Sequence, residues 1–163
     1  MNDGGLTPAR SRYRNAHVYL SAPYGVYQTH DGWLAIAMTP LDKLAKVIDL
    51  PAIAGLPPSA AFERRDEIKR AIADHLAGQM TASWFARMQP ADVWCVEVLD
   101  WPALFSNEAF RRMDMLQTLI GADGHEVRTT RSPTRVDGER ERCLSAAPRI
   151  GEHTAALRAE IGL

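Results

Sequence analysis

The stretch from Tyr24 to Met38 constrains the fold most, because its pattern predicts a β-hairpin. Side chains alternate through its first half, so that one strand face is aromatic and aliphatic. Asp31-Gly32 follows, and an Asp-Gly pair between two β-rich runs predicts a tight turn, since both residues tolerate positive φ. The run from Trp33 to Met38 is almost entirely apolar, as in a strand covered on both faces. The sequence therefore predicts two antiparallel strands that meet at this turn.

The segment before the hairpin, Asn15 to Pro23, has neither a helical nor a strand period, and we interpret it as a loop along the hairpin's base. Loops held on rigid elements often carry binding residues. After the hairpin, helices are predicted over about 40–49, 59–77, 81–89 and 106–113 and at the C-terminus, and strands over 93–99, 116–120 and 126–130. Residues 131–142 are predicted to be irregular. Hairpins and helices without regular βαβ alternation predict an α+β fold.

Composition and charge exclude several classes of function. The chain has 163 residues, with 19 basic and 20 acidic side chains and a net charge of −1. No basic stripe of the kind that nucleic acid requires is visible, so no nucleic-acid partner is predicted. The arginines between positions 131 and 142 alternate with acidic residues, which is typical of a solvated loop.

The sequence predicts a cytoplasmic protein without a membrane partner. No run approaches the roughly 20 apolar residues of a membrane span. Met1 to Arg14 is polar and basic and has no apolar core of a secretory signal, so we interpret it as a linker or tail. The two cysteines, Cys95 and Cys143, do not by themselves form a disulfide framework.

Short motifs occur at four places: Asn15-Ala16-His17 with Pro23-Tyr24 and Thr29-His30-Asp31-Gly32, Thr81-Ala82-Ser83-Trp84 before Cys95, Phe105-Ser106-Asn107-Glu108-Ala109 with Arg111, and Ala147-Pro148-Arg149-Ile150-Gly151-Glu152-His153-Thr154. In this order they resemble the C-terminal part of the family III CoA-transferases, the group of formyl-CoA transferase, carnitine CoA-transferase and α-methylacyl-CoA racemase. The sequence departs from the family at Arg14 and Val18, where Gly and Pro are usual, and at Val96-Glu97, where Ala-Pro is usual.

The resemblance implies a fold and its limits. Residues 1–12 would be a linker or tail, residues 13–120 the family's small α+β domain, and residues 121–163 a C-terminal return segment with a terminal helix. Full-length members also have a Rossmann-like half, which holds CoA and supplies an aspartate nucleophile. No segment of this sequence resembles that half.

The function implied by the resemblance is CoA transfer between an acyl-CoA thioester and a carboxylic acid. The isolated chain is expected to be inactive, because the nucleophile and the CoA site belong to the Rossmann-like half. The chain would then be a truncated product, a subunit of a split enzyme or a non-catalytic assembly or binding domain. Coenzyme A is the family's substrate, and no cofactor bound by this chain is expected. The expected partner is a second copy or a separate chain that carries the other half.

The resemblance also points to substrate-loop candidates, Asn15, His17 and Tyr24, because this loop approaches the active site in the family's dimers. The alternative is that these residues only hold the loop by hydrogen bonds. No catalytic residue is predicted. The racemase branch has a glutamate where this chain has Thr39, and a threonine cannot exchange a proton near neutral pH, so racemase chemistry is not expected.

Three other residues invite a catalytic interpretation that the sequence does not favour. Asp31 is an acid beside His30, but a turn residue is the simpler interpretation. Cys95 with His153 as base is opposed by the apolar strand around Cys95, which makes a thiol inert. His153 is expected to cap or orient the last helix. The histidines and cysteines show no metal-ligand spacing, so no metal site is predicted.

Overall fold

The computed structural model describes residues 10–121, 123–140, 143 and 145–163. These residues divide into two compact units at the boundary between Leu99 and Asp100. The division falls earlier in the chain than the predicted boundary at Ile120. The family-based domain limits stay a prediction, and each unit is described by itself.

The first unit contains a three-stranded antiparallel sheet formed by β1 (Gly25–Gln28), β2 (Trp33–Ile36) and β3 (Cys95–Glu97), in that order. Tyr27 lies opposite Leu34, and Ile36 lies opposite Cys95. The predicted hairpin is therefore confirmed. Its second strand is covered on one face only: Leu34 and Ile36 are buried, whereas Trp33 is 47% exposed, so the expectation of two covered faces was wrong.

The turn of this hairpin differs from the prediction. Residues 29–32 connect the strands, and the Thr29 amide donates a hydrogen bond to the Gly32 carbonyl at 2.9 Å. Neither Asp31 nor Gly32 has a positive φ. The longer connection reverses the chain without left-handed residues, so the predicted turn chemistry was wrong.

Helices α1 (Leu41–Ile48), α2 (Ala60–Glu63), α3 (Arg65–Leu76) and α4 (Thr81–Met88), with a 3-10 turn at Pro51–Ile53, complete the first unit. The single helix predicted over 59–77 is interrupted at Arg64, where φ is −108° and ψ is 22°. Fully buried apolar side chains from β1, β2 and the helices form one core: Tyr27, Leu34, Ile36, Leu44, Ile48, Ile68, Ile72, Leu76, Trp84 and Met88. This core supports the loop that precedes β1.

The second unit contains α5 (Trp101–Ser106), α6 (Glu108–Arg112), β4 (Leu116–Ile120), β5 (Glu126–Thr130), β6 (Arg135–Val136), β7 (Glu139–Arg140) and α7 (Thr154–Glu160). The side chains of Asp100 and Asn107 cap α5 and α6, accepting hydrogen bonds from Ala103 N at 2.8 Å and Phe110 N at 3.1 Å. The predicted hairpin of β4 and β5 is confirmed.

The segment predicted to be irregular contains a second hairpin, formed by β6 and β7. Asp137 and Gly138 connect its strands with φ values of 51° and 83°. Positive φ at both positions of a two-residue connection is what an Asp-Gly pair accommodates best. The prediction of an irregular segment was wrong, because the Asp-Gly pair forms a turn despite the mixed charges around it. Residues 141 and 142 of the segment lie outside the described residues.

Candidate functional site

The loop that precedes β1 is fixed to the rest of the first unit at several points. Val26 N donates to Asn15 O at 2.8 Å, and Ala22 N donates to Ala61 O at 2.8 Å. The Tyr27 hydroxyl donates to Pro23 O at 2.6 Å from inside the core. Because strand, helix and core each hold one part of it, the loop presents a defined surface.

Residues assigned to the linker also contact the helical layer. Ser11 is buried and its hydroxyl hydrogen-bonds to Asp66 on α3, while Arg12 N donates to the other carboxylate oxygen of Asp66 at 2.8 Å. These bonds hold the pKa of Asp66 below its usual value, with the Ser11 hydroxyl as the largest cause. The described end of the predicted tail is therefore attached to α3.

The Asn15 amide packs against β1, and Asn15 also lines a different hollow, of about 590 Å³, together with Val26 and Trp33. A Cβ atom placed on Gly25 would lie 2.2 Å from Asn15 Nδ2, so the amide packs directly against the glycine backbone. Asn15 Nδ2 and Oδ1 are buried, and among the described residues neither makes a hydrogen bond of ordinary geometry. The neighbouring Tyr27 phenol has a raised pKa, mainly because it is buried, and the Asn15 amide opposes that rise. This placement favours the structural alternative for Asn15.

His17 and Tyr24 lie together at a hollow of about 560 Å³ on the open face of the sheet. Its other walls come from β1 and β2, including Val26 and Ala35, and from Trp94 and the first residues of β3. Tyr19 N donates to His17 Nδ1 at 3.2 Å, so the neutral imidazole carries its proton on Nε2. The structure thus brings two of the three substrate-loop candidates together and separates Asn15 from them.

Tyr24 also borders a second concavity, which we call the proline-rimmed pocket. It has a volume of about 410 Å³ and is lined by residues 21–24, 38–42, 56–58 and Ala61. Four prolines belong to this lining: Pro23, Pro40, Pro57 and Pro58. Sequence reasoning missed the pocket, because its three walls are far apart in the chain; the cluster of prolines was the available signal.

The walls of the proline-rimmed pocket are also fixed by hydrogen bonds. Asp42, in the first turn of α1, accepts a hydrogen bond from Gly55 N at 2.6 Å through Oδ1. This bond joins the wall of residues 38–42 to the segment that leads into residues 56–58. Thr39 is also buried at this pocket. A shape held in this way does not have to be organised by a ligand.

Asp31 has a structural role that differs from the predicted one. Its Oδ1 accepts hydrogen bonds from Thr81 N at 2.7 Å and from Thr81 Oγ1 at 2.9 Å, at the start of α4. The same two bonds are the largest causes of its lowered pKa. The Thr29 and Thr81 hydroxyls are 2.6 Å apart, and Gly32 N donates to Thr29 Oγ1 at 3.1 Å. The Thr-x-Asp-Gly motif therefore joins the hairpin turn to a helix.

The remaining sequence candidates do not form a reactive site. Burial raises the pKa of the Cys95 thiol, which disfavours the nucleophilic thiolate. His153 occupies the N-cap position of α7, as expected, but its side chain makes no capping hydrogen bond. The neighbouring Glu152 accepts a hydrogen bond from Arg149 N at 2.6 Å. Within the described ranges, His, Cys, Asp and Glu residues nowhere gather in a group of three that could hold a metal ion.

A sequence profile describing CoA-transferase family III matches residues 2–154. The chain belongs to CoA-transferase family III. The match confirms the resemblance drawn from the short motifs and extends over most of the chain. No curated protein matches this family III chain in the corresponding sequence comparison.

Two solved structures have a similar fold. A CAIB/BAIF family protein from Brucella suis is 23% identical, with a TM-score of 0.59, and the match covers 97% of this chain and 42% of that one. Rv3272 from Mycobacterium tuberculosis is 22% identical, with a TM-score of 0.56 and coverage of 83% and 40%. At this identity the likeness shows the fold alone. The family III chain spans about two fifths of the length of these structures.

Throughout the described part of the chain, every helix is too short or too polar to cross a membrane.

Proposed function

We propose that this chain provides the acyl-facing part of a family III CoA-transferase, an enzyme that moves CoA between an acyl-CoA thioester and a carboxylic acid. The observation that carries the proposal is the family match over residues 2–154. The geometry supports it, because His17 and Tyr24 of the family's loop face one hollow and the loop is fixed on the sheet and α2. Contact of these two side chains with an acyl group is part of the proposal.

The proposed fold is the family's small α+β domain followed by its C-terminal return segment. The solved relatives are more than twice as long as the part that this chain matches. We assign the CoA site and the aspartate nucleophile to the Rossmann-like half of that longer architecture. The 163 residues alone then bind the acyl end of a substrate but transfer no CoA.

The test is reconstitution of activity. The purified chain is mixed with a separately expressed Rossmann-like half of a family III CoA-transferase, and transfer from a panel of acyl-CoAs to carboxylic acids is followed by chromatography. Transfer is expected only in the mixture, and it is expected to be lost when the nucleophilic aspartate of the added half becomes asparagine. Turnover by the chain alone, or no transfer with any added half, would contradict the proposal.

A second candidate is a non-catalytic assembly domain, and a specific surface favours it. The open face of the sheet exposes Trp94, Val96 and Val98, of which Trp94 is 62% and Val96 59% exposed. Contiguous apolar surface of this kind marks interaction sites. A chain that self-associates but neither binds acyl groups nor supports transfer would establish this alternative.

A further inference from the structure

We infer that the proline-rimmed pocket selects an uncharged, apolar acyl group, branched or aromatic, and rejects an acyl group that ends in a second carboxylate. This inference rests on the proposed function, since it treats the pocket as part of the acyl-binding surface. It adds a substrate class, which family membership does not supply.

The lining of the pocket is mainly apolar. Its walls present the side chains of Tyr24, Met38, Leu41 and Leu56, besides the four prolines. Apolar walls gain free energy by removing apolar ligand surface from water, at about 25 cal/mol per Å². Met38 is 70% exposed at the rim, and its flexible thioether side chain can adapt to ligands of different shape.

Charge at the pocket opposes an anionic ligand. None of the lining residues, all of which lie in the described part of the chain, is Lys, Arg or His. The one carboxylate among the lining residues is that of Asp42, whose Oδ1 accepts a hydrogen bond from Gly55 N at 2.6 Å. Lys43, the next residue, donates to Asp92 O at 2.5 Å and pairs with Asp92 Oδ2 at 3.3 Å, so its ammonium group is engaged elsewhere. A carboxylate in the pocket would meet a like charge and lose water without a counterion.

Size and rigidity favour a compact, bulky acyl group. The volume of about 410 Å³ is at the lower end of the range for small-molecule sites. Prolines fix the backbone on each wall, and the Asp42–Gly55 and Ala22–Ala61 hydrogen bonds join the walls. A preformed pocket of this size loses little entropy when a branched or aromatic group enters it.

The experiment compares two neutral-headed thioesters that differ in the acyl end. Isovaleryl-pantetheine and succinyl-pantetheine are titrated into the full 163-residue chain, and methyl NMR signals of Met38, Leu41 and Leu56 are followed. Saturable shifts with isovaleryl-pantetheine, and a Kd at least about tenfold weaker for succinyl-pantetheine, are expected. Equal affinities, or no shifts with isovaleryl-pantetheine, would overturn the inference.

Two variants separate charge from packing. D42N keeps the oxygen that accepts the Gly55 hydrogen bond but removes the charge, so succinyl-pantetheine is expected to bind about fivefold more tightly while isovaleryl-pantetheine is unchanged. The matched control is D49N. Asp49 is an exposed acid at the end of α1 and lies outside the pocket lining, so this variant should change neither affinity. Ala61→Leu, checked for an unchanged Tm, should weaken isovaleryl-pantetheine by filling the pocket. Unchanged affinities in both D42N and Ala61→Leu would assign binding to another surface and overturn the inference.

These binding measurements require no catalysis. Transfer in the reconstituted mixture without acyl selectivity in this chain would reject the inference and leave the proposed function intact. Selective binding with no transfer by any mixture would retain the inference and reject the proposed function.

Discussion

At the scale of single residues, close packing explains two positions that look unremarkable in the sequence. Gly25 is required because the Asn15 amide occupies the space of its missing side chain. Lys69 on α3 is fully buried, with Nζ 3.5 Å from Leu20 O beneath the loop. Its pKa is lowered, mainly by desolvation, with Arg65 adding to the effect and Asp66 opposing it. Gly25 leaves the space that the Asn15 amide fills, and Lys69 contacts the loop although its charge is desolvated.

Gly25→Ala is expected to lower the free energy of unfolding by about 1–3 kcal/mol, because the new methyl group forces Asn15 away from β1. Urea denaturation measures the change. Gly78→Ala is the control: its added Cβ would lie 3.4 Å from His75 O and should be tolerated. An Asn15→Ala background should relieve most of the Gly25→Ala penalty, and additive effects of the two changes would refute the packing explanation.

Lys69→Met is expected to stabilise the protein by about 1–2 kcal/mol at pH 7, since it removes a buried charge but keeps most of the volume. The unfolded chain binds the Lys69 proton more tightly than the folded chain, so wild-type stability rises with pH between the lowered folded pKa and the ordinary lysine pKa of 10.5. The advantage of Lys69→Met should therefore shrink in that alkaline range. Lys46→Met, at an exposed position of α1, should show no such trend in pH-dependent urea melts.

At the scale of elements, the hairpin turn functions as a cap for another element. Helix α4 has no capping hydrogen bond from the side chain of its own preceding residue, Met80. Asp31 in the hairpin turn supplies the cap instead: its Oδ1 accepts hydrogen bonds from both the amide and the hydroxyl of Thr81. The first turn of α4 is thereby connected to the strand layer.

Asp31→Ala is expected to lower the Tm, because Thr81 N at the start of α4 loses its acceptor. His30→Ala, which changes the neighbouring turn residue, is the control. The lowered pKa of Asp31 means that its stabilising contribution is present above the ordinary aspartate pKa of 3.8 and disappears as the pH falls through the lower folded pKa. The difference in Tm between wild type and Asp31→Ala should shrink in strong acid; a constant difference would argue against a role for the charged carboxylate.

At the scale of the whole molecule, the first unit has one covered and one open sheet face. The core face buries Tyr27, Leu34 and Ile36, whereas the open face exposes Trp94, Val96 and Val98. This asymmetry agrees with the proposal that the chain assembles with a second copy or with another part of the family's architecture. The open face is also the location of the hollow that contains His17 and Tyr24.

The purified chain is expected to sediment as a homo-oligomer at micromolar concentration, and Val96→Lys should shift it towards the monomer by placing a charge on the open face. Met80→Lys, at a position 46% exposed outside the sheet, is the control and should leave the sedimentation coefficient unchanged. Val96→Lys should retain the wild-type circular dichroism spectrum. A monomeric wild type would refute self-association through this face.

Local pattern by itself determined many of the elements and the family. The alternation around Tyr27, the helical spacing of Leu41, Leu44 and Ile48, and the Gly-Glu-His-Thr motif act over a few residues, and they were sufficient for the hairpin, α1 and the family assignment. The same kind of information at Asp137-Gly138 would also have predicted the β6–β7 hairpin. These features were predictable because backbone preference and amphipathic periodicity depend on neighbours in the chain.

Only the tertiary structure decided what the individual side chains do. Asp31 was expected to serve its own turn but caps a helix fifty residues away in the chain, and the amide of Asn15, one of the substrate-loop candidates, packs against Gly25. The proline-rimmed pocket combines three segments that share prolines, but their spacing in the chain does not show that they meet. Long-range packing determines which polar groups are desolvated and which partners satisfy them, and sequence spacing does not contain that information.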